Sequence, residues 1–280
     1  MNDPVWLDRL LIIMKRRTFV KSAVALGSVV GISQLISTEA EAQTGAGQRA
    51  QYFELRQYTI DSERQQKLID EYWRAAAIPA YNRAGVRPIG VFTPLEGAEV
   101  TKMYVLIPYD SLELVASVPA RVGADSEYLQ AGADYLNAPK SEPAYNRIES
   151  SLSVAFDGMK RLDEPPSAAE KKPWIFELRT YESHSEVKGA NKVLMFNSGE
   201  IPLMREVGLT PVFFAQTLIG GRLPNLVYMV SGEDKAAHQK HWQGFFAAPV
   251  WKQLSGDPKY KDNVSKVVSV FLKRTDYSQI

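Results

Sequence analysis

The densest chemistry in this chain is written twice. Glu54, Arg56 and Tyr58 alternate along Phe53-Glu54-Leu55-Arg56-Gln57-Tyr58, and Glu177, Arg179 and Tyr181 repeat the spacing along Phe176-Glu177-Leu178-Arg179-Thr180-Tyr181. On an extended strand, period two puts each trio on one face. A carboxylate, a guanidinium and a phenol together can orient a ligand or tune a proton-transfer group. They can equally form a structural ion pair at an interface between domains. Presence in both copies favours the structural role, because a single active site rarely needs two such sets. The period predicts that the Phe53, Leu55 and Gln57 face packs on helices, and that each Glu-Arg-Tyr face is turned to the other side.

The other candidates lie in the second half. His184, His238 and His241 are the three histidines, and His238 and His241 share a face of a predicted helix. Two such histidines plus a carboxylate could hold zinc. The pattern is not His-Glu-x-x-His, however, and Glu233 and Asp234 fall at the helix start, so solvated histidines and no metal are expected. Trp242, Phe245, Phe246 and Trp251, with Tyr228, Phe213 and Phe214, form an aromatic group whose helical spacing reads mostly as core. The alternative is an apolar pocket between helices and sheet, with Tyr228 and Trp242 among its ligand-binding residues beside the two trios. No Ser-His-Asp arrangement, phosphate loop or dinucleotide fingerprint occurs, and no cofactor is expected.

The elements that carry these residues are themselves duplicated. Residues 53–97 laid over 176–220 without a gap give 13 identities in 45 positions, including Ser62/Ser185, Pro79/Pro202, Gly85/Gly208 and Pro88/Pro211. The closing stretches also match, Glu142–Phe156 over Asp257–Phe271, at an offset of 115. A unit this long is a domain, not a solenoid repeat. In the first copy, alternation over Tyr52–Ile60 predicts a strand. Asp61-Ser62-Glu63 starts a helix with one apolar stripe, which Pro79 kinks or restarts and Gly85 ends. Strands over Pro88–Leu95 and Lys102–Tyr109, a helix over Asp110–Ala138 broken near Pro119 and Gly123, and a strand over Ala144–Phe156 complete a β-α-β-β-α-β order, the ferredoxin-like unit. The second copy repeats it, with one helix over Asp234–Leu254 and a closing strand over Tyr260–Lys273. The expected domains are residues 52–156 and 174–280, joined by a polar linker over 157–173 that contains Pro165-Pro166 and Lys171-Lys172.

Ahead of both copies, Arg16-Arg17 with Phe19 and Lys21, a mildly apolar run over Ser22–Ile36, and Ala40-Glu41-Ala42 read as a twin-arginine signal peptide over residues 1–42. Cleavage after Ala42 and a periplasmic or secreted destination follow, with Met1 and Met14 both usable as starts. The run is too short and polar to span a membrane. Beyond the leader, acidic and basic residues stand 28 to 28. That balance gives no electrostatic reason to expect a nucleic-acid partner. With no cysteine, disulfides and thiolate chemistry are excluded.

Phe-Glu-Leu-Arg-Thr-Tyr (176–181), Gly-Leu-Thr-Pro-Val (208–212), Pro224-Asn225-Leu226-Val227-Tyr228, Trp242…Phe246…Pro249-Val250-Trp251-Lys252 and the closing Tyr277-Ser278-Gln279-Ile280 resemble the NIPSNAP family. The resemblance covers roughly residues 52–280, and is stronger in the second copy. It implies an α+β fold in which two tandem ferredoxin-like units pair as a dimeric α+β barrel, here within one chain, with the two Glu-Arg-Tyr faces meeting inside it. The family has no single accepted activity, and its eukaryotic members are linked to mitochondria and vesicle traffic. The twin-arginine leader argues against trafficking. The resemblance therefore implies an exported protein binding a small apolar or aromatic ligand, or a protein partner, and compatible with a homo-oligomer. The enzymatic alternative is a cofactor-independent monooxygenase or isomerase of the barrel superfamily.

Overall fold

The computed structural model describes residues 49–97, 101–170 and 173–280. The leader, its cleavage site and the destination they imply lie outside the described residues.

Each copy opens with a strand and a helix capped in the same way. After β1 (Tyr52–Thr59), the Ser62 side chain accepts from the backbone N–H of Gln65 to start α1 (Glu63–Glu71). After β5 (Ile175–Glu182), Ser185 accepts from Lys188 to start α7 (Glu186–Met195). A serine oxygen at this position satisfies one orphan N–H of the first turn. Pro79 and Pro202 have no N–H to continue either helix. The chain widens into π-helical turns at Tyr72–Ala77 and Phe196–Glu200 instead. Helix then resumes as α2 (Ile78–Arg83) and α8 (Ile201–Glu206), with proline in the first turn. Gly85 (φ +83°) and Gly208 (φ +92°) end them in the left-handed conformation that glycine tolerates.

Three further strands follow the first of each copy: β2 (Gly90–Pro94), β3 (Lys102–Tyr109) and β4 (Arg147–Ala155), then β6 (Thr210–Ile219), β7 (Asn225–Gly232) and β8 (Lys266–Arg274). The eight close into an antiparallel barrel in the order β1-β3-β2-β8-β5-β7-β6-β4. The order repeats after four strands, so equivalent strands of the two copies face each other across the barrel. Two seams join the halves: Phe92–Pro94 against Leu272–Arg274, and Leu152–Ala155 against Ala215–Ile219 with a bulge. Closure leaves no free sheet edge. The ladders correct one sequence equivalence. Arg56 pairs with Ser150 and Arg179 with Ser269, so β4 and β8 correspond at an offset of 119 and not 115. The difference is even and preserves which face each residue shows.

Three connections also differ from the sequence reading. A short helix, α6 (Pro166–Glu170), lies within the linker. Helix α3 (Leu112–Gly123) runs through Pro119 and breaks only at the second expected place, after Gly123, where Asp125 caps α4 (Ser126–Ala131), followed by α5 (Ala133–Leu136). The long helix of the second copy divides into α9 (Lys235–Ala247) and α10 (Pro249–Gly256). Between them Ala248 is extended (ψ 139°), as expected of a residue preceding proline.

Inside and outside are reversed relative to the sequence expectation. Phe53 and Leu55 point into the barrel, where they pack with Phe92, Phe176, Leu178, Phe213 and Leu272 from both copies. Glu54, Arg56 and Tyr58 point outward beneath the helices, and so do Glu177, Arg179 and Tyr181; the two trios never meet. The physical reason is hydrogen-bonding supply. An eight-stranded lumen is narrow and filled by side chains, and one half of it is apolar. The layer under the helices offers hydroxyl, imidazole and indole partners, and a buried charge needs them.

Candidate functional site

On the outer face of the second copy, Glu177 is almost fully satisfied. Its Oε1 accepts from Arg179 at 2.5 Å and from Ser269 at 2.6 Å. Its Oε2 accepts from Trp242 Nε1 and meets His238 Nε2, both at 2.8 Å. A carboxylate only accepts, so Nε2 of His238 carries the proton in this contact. Burial would raise the Glu177 pKa, but the hydrogen bond from His238, the charge of Arg179 and the bonds from Ser269 and Trp242 outweigh it and bring it to about 2. Arg179 also donates to Tyr181 at 3.2 Å and lies over the Trp242 ring at 4.8 Å. Tyr181 and Tyr228 share a hydrogen bond of 2.9 Å.

The first copy builds the same pair with other partners. Arg56 donates twice to Glu54 and once to Tyr81, while Tyr109 and Ser150 close the remaining carboxylate positions. Tyr58 leaves this group and packs edge-on against Trp73 and Tyr145. The structure thus gathers Glu177, Arg179, Tyr181, Tyr228 and Trp242 in one place, and Glu54 with Arg56 in another. Both lie outside the barrel, and both hold their carboxylate on each oxygen, although Arg179 Nε and His238 Nδ1 are buried without a partner among the described residues.

The histidines are not the solvated helix residues the spacing suggested. His238 is buried against Glu177, and only His184 is exposed. His241 turns away from His238 toward Gly208, where a Cβ would sit 2.9 Å from its Nε2. They do not converge on a shared metal position. The aromatic group also divides: Phe213 lies in the lumen, whereas Phe214, Tyr228, Phe245, Trp242 and Trp251 pack between sheet and helices.

The space for a ligand is in the lumen. One half of the barrel is plugged by Phe53, Phe92, Phe176, Phe213 and Leu272. The other half opens as a cup of about 570 Å³. Its floor is Leu55 and Leu178, and its wall carries Gln57, Tyr104, Glu149, Ser151, Thr180, Thr217, Asn225, Val227, Val268 and Val270, with Lys102 and Arg222 at the mouth. Thr217 and Asn225 already bond each other at 2.6 Å, and Asn225 holds the carbonyls of Gly221 and Arg222. Gly220 allows that turn to close, since a Cβ there would be 2.8 Å from Cβ of Ser151. The sequence reading missed these residues because it set the Phe-Leu-Gln face against the helices. The available signal was Gln57 and its counterpart Thr180, the polar members of an otherwise apolar alternation.

The fold and the cup define an eight-stranded α+β barrel with a ligand-sized opening at one end. The NIPSNAP family signature matches the sequence twice, over residues 53–152 and 176–279, and the chain belongs to that family. No curated protein matches the sequence. In structure the chain is similar to a proposed monooxygenase from Lactobacillus acidophilus NCFM, with a TM-score of 0.55 at 10% identity over 81% of this chain and 94% of that one. It is similar to a second, from Fusobacterium nucleatum, with a TM-score of 0.51 at 8% identity over 81% and 93%. At these identities the likeness is one of fold. An uncharacterised NIPSNAP-like domain protein from Burkholderia xenovorans aligns over 38% of this chain and 88% of its own, at 19% identity and a TM-score of 0.34.

Proposed function

We propose that this NIPSNAP protein binds a small molecule in the open half of its barrel. In this reading residues 52–156 and 174–280 are two ferredoxin-like units, joined by the linker over 157–173, that build one shared cup. The mature protein is exported through the twin-arginine route read from Arg16-Arg17. One observation carries the binding function: the described lumen holds a cup of about 570 Å³, within the range of small-molecule sites. The conspicuous Glu-Arg pairs are engaged with each other and with their neighbours under the helices.

The alternative, a cofactor-independent monooxygenase or isomerase, has less support. It needs a proton-transfer group against the substrate; Glu149 and Tyr104 are the groups in the cup that could serve, whereas the buried carboxylate–histidine pair, Glu177 with His238, is on the opposite face of β5.

Native mass spectrometry of residues 43–280, purified from cells, tests the binding function. Excess mass in the folded species, lost on denaturation and absent from a Val268→Trp variant that fills the cup, is the expected result. Excess mass retained by a folded Val268→Trp variant would place the ligand elsewhere and overturn it.

A further inference from the structure

The barrel is twofold in its backbone but not in its lining. Equivalent positions face each other across the axis, so each wall residue can be compared with its counterpart. Tyr104 is opposed by Val227, Glu149 by Val268, Ser151 by Val270 and Gln57 by Thr180, as the matching registers require. Gln57, Tyr104, Glu149 and Ser151 of the first copy, continued by Thr217 and Asn225 of the second, form a polar wall, and Val227, Val268 and Val270 of the second copy form an aliphatic one. Two identical copies would line a symmetric lumen; here the side chains that touch the cup diverge between the copies.

Within the polar wall, most groups are already engaged. Gln57 donates to Glu149 at 3.2 Å, and Thr217 and Asn225 are bound to each other. Tyr104 is different. Its ring is buried in the lumen cluster, and burial alone raises its pKa, with no hydrogen bond from a described residue contributing. It therefore presents a neutral phenol O–H to the cup. Lys102 lies two residues along β3 on the same face, exposed at the mouth, and forms no ion pair with a described residue. Arg222 adds a second cation there, shared with Glu182 at 3.7 Å. Glu149 is the opposing charge, two strands from Tyr104 on the same wall.

Building on the lumen reading, we propose that the cup selects amphipathic molecules with a single anionic oxygen, a carboxylate or an enolate-type oxygen. That head lies on the Tyr104 hydroxyl and the Lys102 ammonium, and the apolar body lies against Leu55, Leu178, Val227, Val268 and Val270. A second negative charge on the head would meet Glu149, so monoanions are favoured over dianions. The aliphatic wall carries one hydroxyl, Thr180 between Val227 and Val268, and no cation, so the anionic head is oriented toward Lys102.

The test is calorimetric titration of residues 43–280 with four probes sharing one ring system: 2-naphthoate, 2-naphthol, 2,3-naphthalenedicarboxylate and 2-naphthylmethylammonium. Naphthoate is expected to bind most tightly. Tyr104→Phe should weaken naphthoate and naphthol alike by about fivefold, the size of one net hydrogen bond. Lys102→Gln should weaken naphthoate by about threefold without changing naphthol, an effect that fades as salt rises. Val268→Trp should abolish binding of all four, and the milder Val268→Phe serves where the tryptophan variant fails to fold. If Val268→Trp abolishes binding but the cation or dianion binds as well as naphthoate, the anion selection is wrong and the lumen reading stands. If the same holds but neither Tyr104→Phe nor Lys102→Gln changes affinity, the placement of the head is wrong. Binding that survives a filled cup, or no binding by any probe at millimolar concentration, overturns the lumen reading itself.

Discussion

Gly232 and His238 interlock: a Cβ on Gly232 would lie 3.1 Å from Nδ1 of His238. The first copy has Tyr109 at the position of Gly232, and the Tyr109 hydroxyl donates to Glu54 at 3.1 Å. In the second copy that side chain is absent, and the imidazole of α9 fills the space and reaches Glu177 at 2.8 Å. The carboxylate is common to both copies. The group that satisfies it comes from strand β3 in one and from helix α9 in the other.

Gly232→Ala is therefore expected to lower stability by about 1–2 kcal/mol, because the added carbon displaces a buried hydrogen-bonded ring. Gly123→Ala is the control: nothing lies within 4 Å of its Cβ position, and at the end of α3 it should be within about 0.5 kcal/mol of wild type. Thermal unfolding of both variants decides this. Equal melting temperatures would mean that His238 does not depend on the missing side chain.

Arg179→Ala should destabilise the fold without changing affinity at the cup. Its side chain is 17% exposed, against 3% for Glu177, so solvent screens part of the pair. Loss of the arginine leaves Glu177 bonded to His238, Trp242 and Ser269, and about 1–3 kcal/mol is expected, below the cost of a fully orphaned charge. An unchanged melting temperature together with lost ligand binding would reverse the assignment and make Arg179 a ligand residue.

Acid should act through Glu177. Its folded-state pKa of about 2 lies below the ordinary 4.5, so the stabilisation is complete above pH 4.5 or so and is lost as pH falls toward 2. The shift corresponds to roughly 3 kcal/mol. Glu54 is held low in the same sense: burial opposes the shift, but Arg56 together with the hydrogen bonds from Ser150 and Tyr109 outweighs it. Glu200 acts in the opposite sense, because burial raises its pKa despite the neighbouring Lys192. The Glu177 contribution is isolated by comparing wild type with Glu177→Gln in urea at pH 6 and pH 3. Wild type should lose more stability than the variant; parallel losses would sink the assignment.

How far the sequence could be read divides along the sheet. The repeat itself located the copies, because Pro79 and Pro202, Gly85 and Gly208, and the paired helix-capping serines constrain backbone geometry directly. Period two also grouped Glu54 with Arg56 and Glu177 with Arg179 correctly. It could not say which face was inner. Alternation is symmetric under exchange of faces, and the exchange depends on partners far away in sequence: Tyr81, 25 residues on, and Trp242, 65 residues on. His238 was misjudged for the same reason, since only the sheet beneath α9 turns a polar helix position into a buried one. The cup residues Tyr104 and Val227 became distinguishable only when the ladder set them across one axis.

The Lys192–Glu200 pair offers a test drawn from the duplication itself. Its nitrogen and oxygen are 2.5 Å apart with both side chains buried, and Lys192 also lies 4.7 Å over the Phe196 ring. Counting back by the repeat, the first copy has Ile69 and Ala77 at these positions, both buried in its apolar core. The same layer of the fold therefore tolerates an apolar solution. Removing one partner strands the other charge away from water, and Lys192→Met alone should cost about 3–5 kcal/mol. Removing both, as Lys192→Met with Glu200→Leu, restores charge balance and preserves volume, so stability should return to within about 1 kcal/mol of wild type or exceed it. Urea unfolding of the two single variants and the double variant closes the cycle. A double variant as unstable as the sum of its singles would show no coupling between the two charges and overturn this reading.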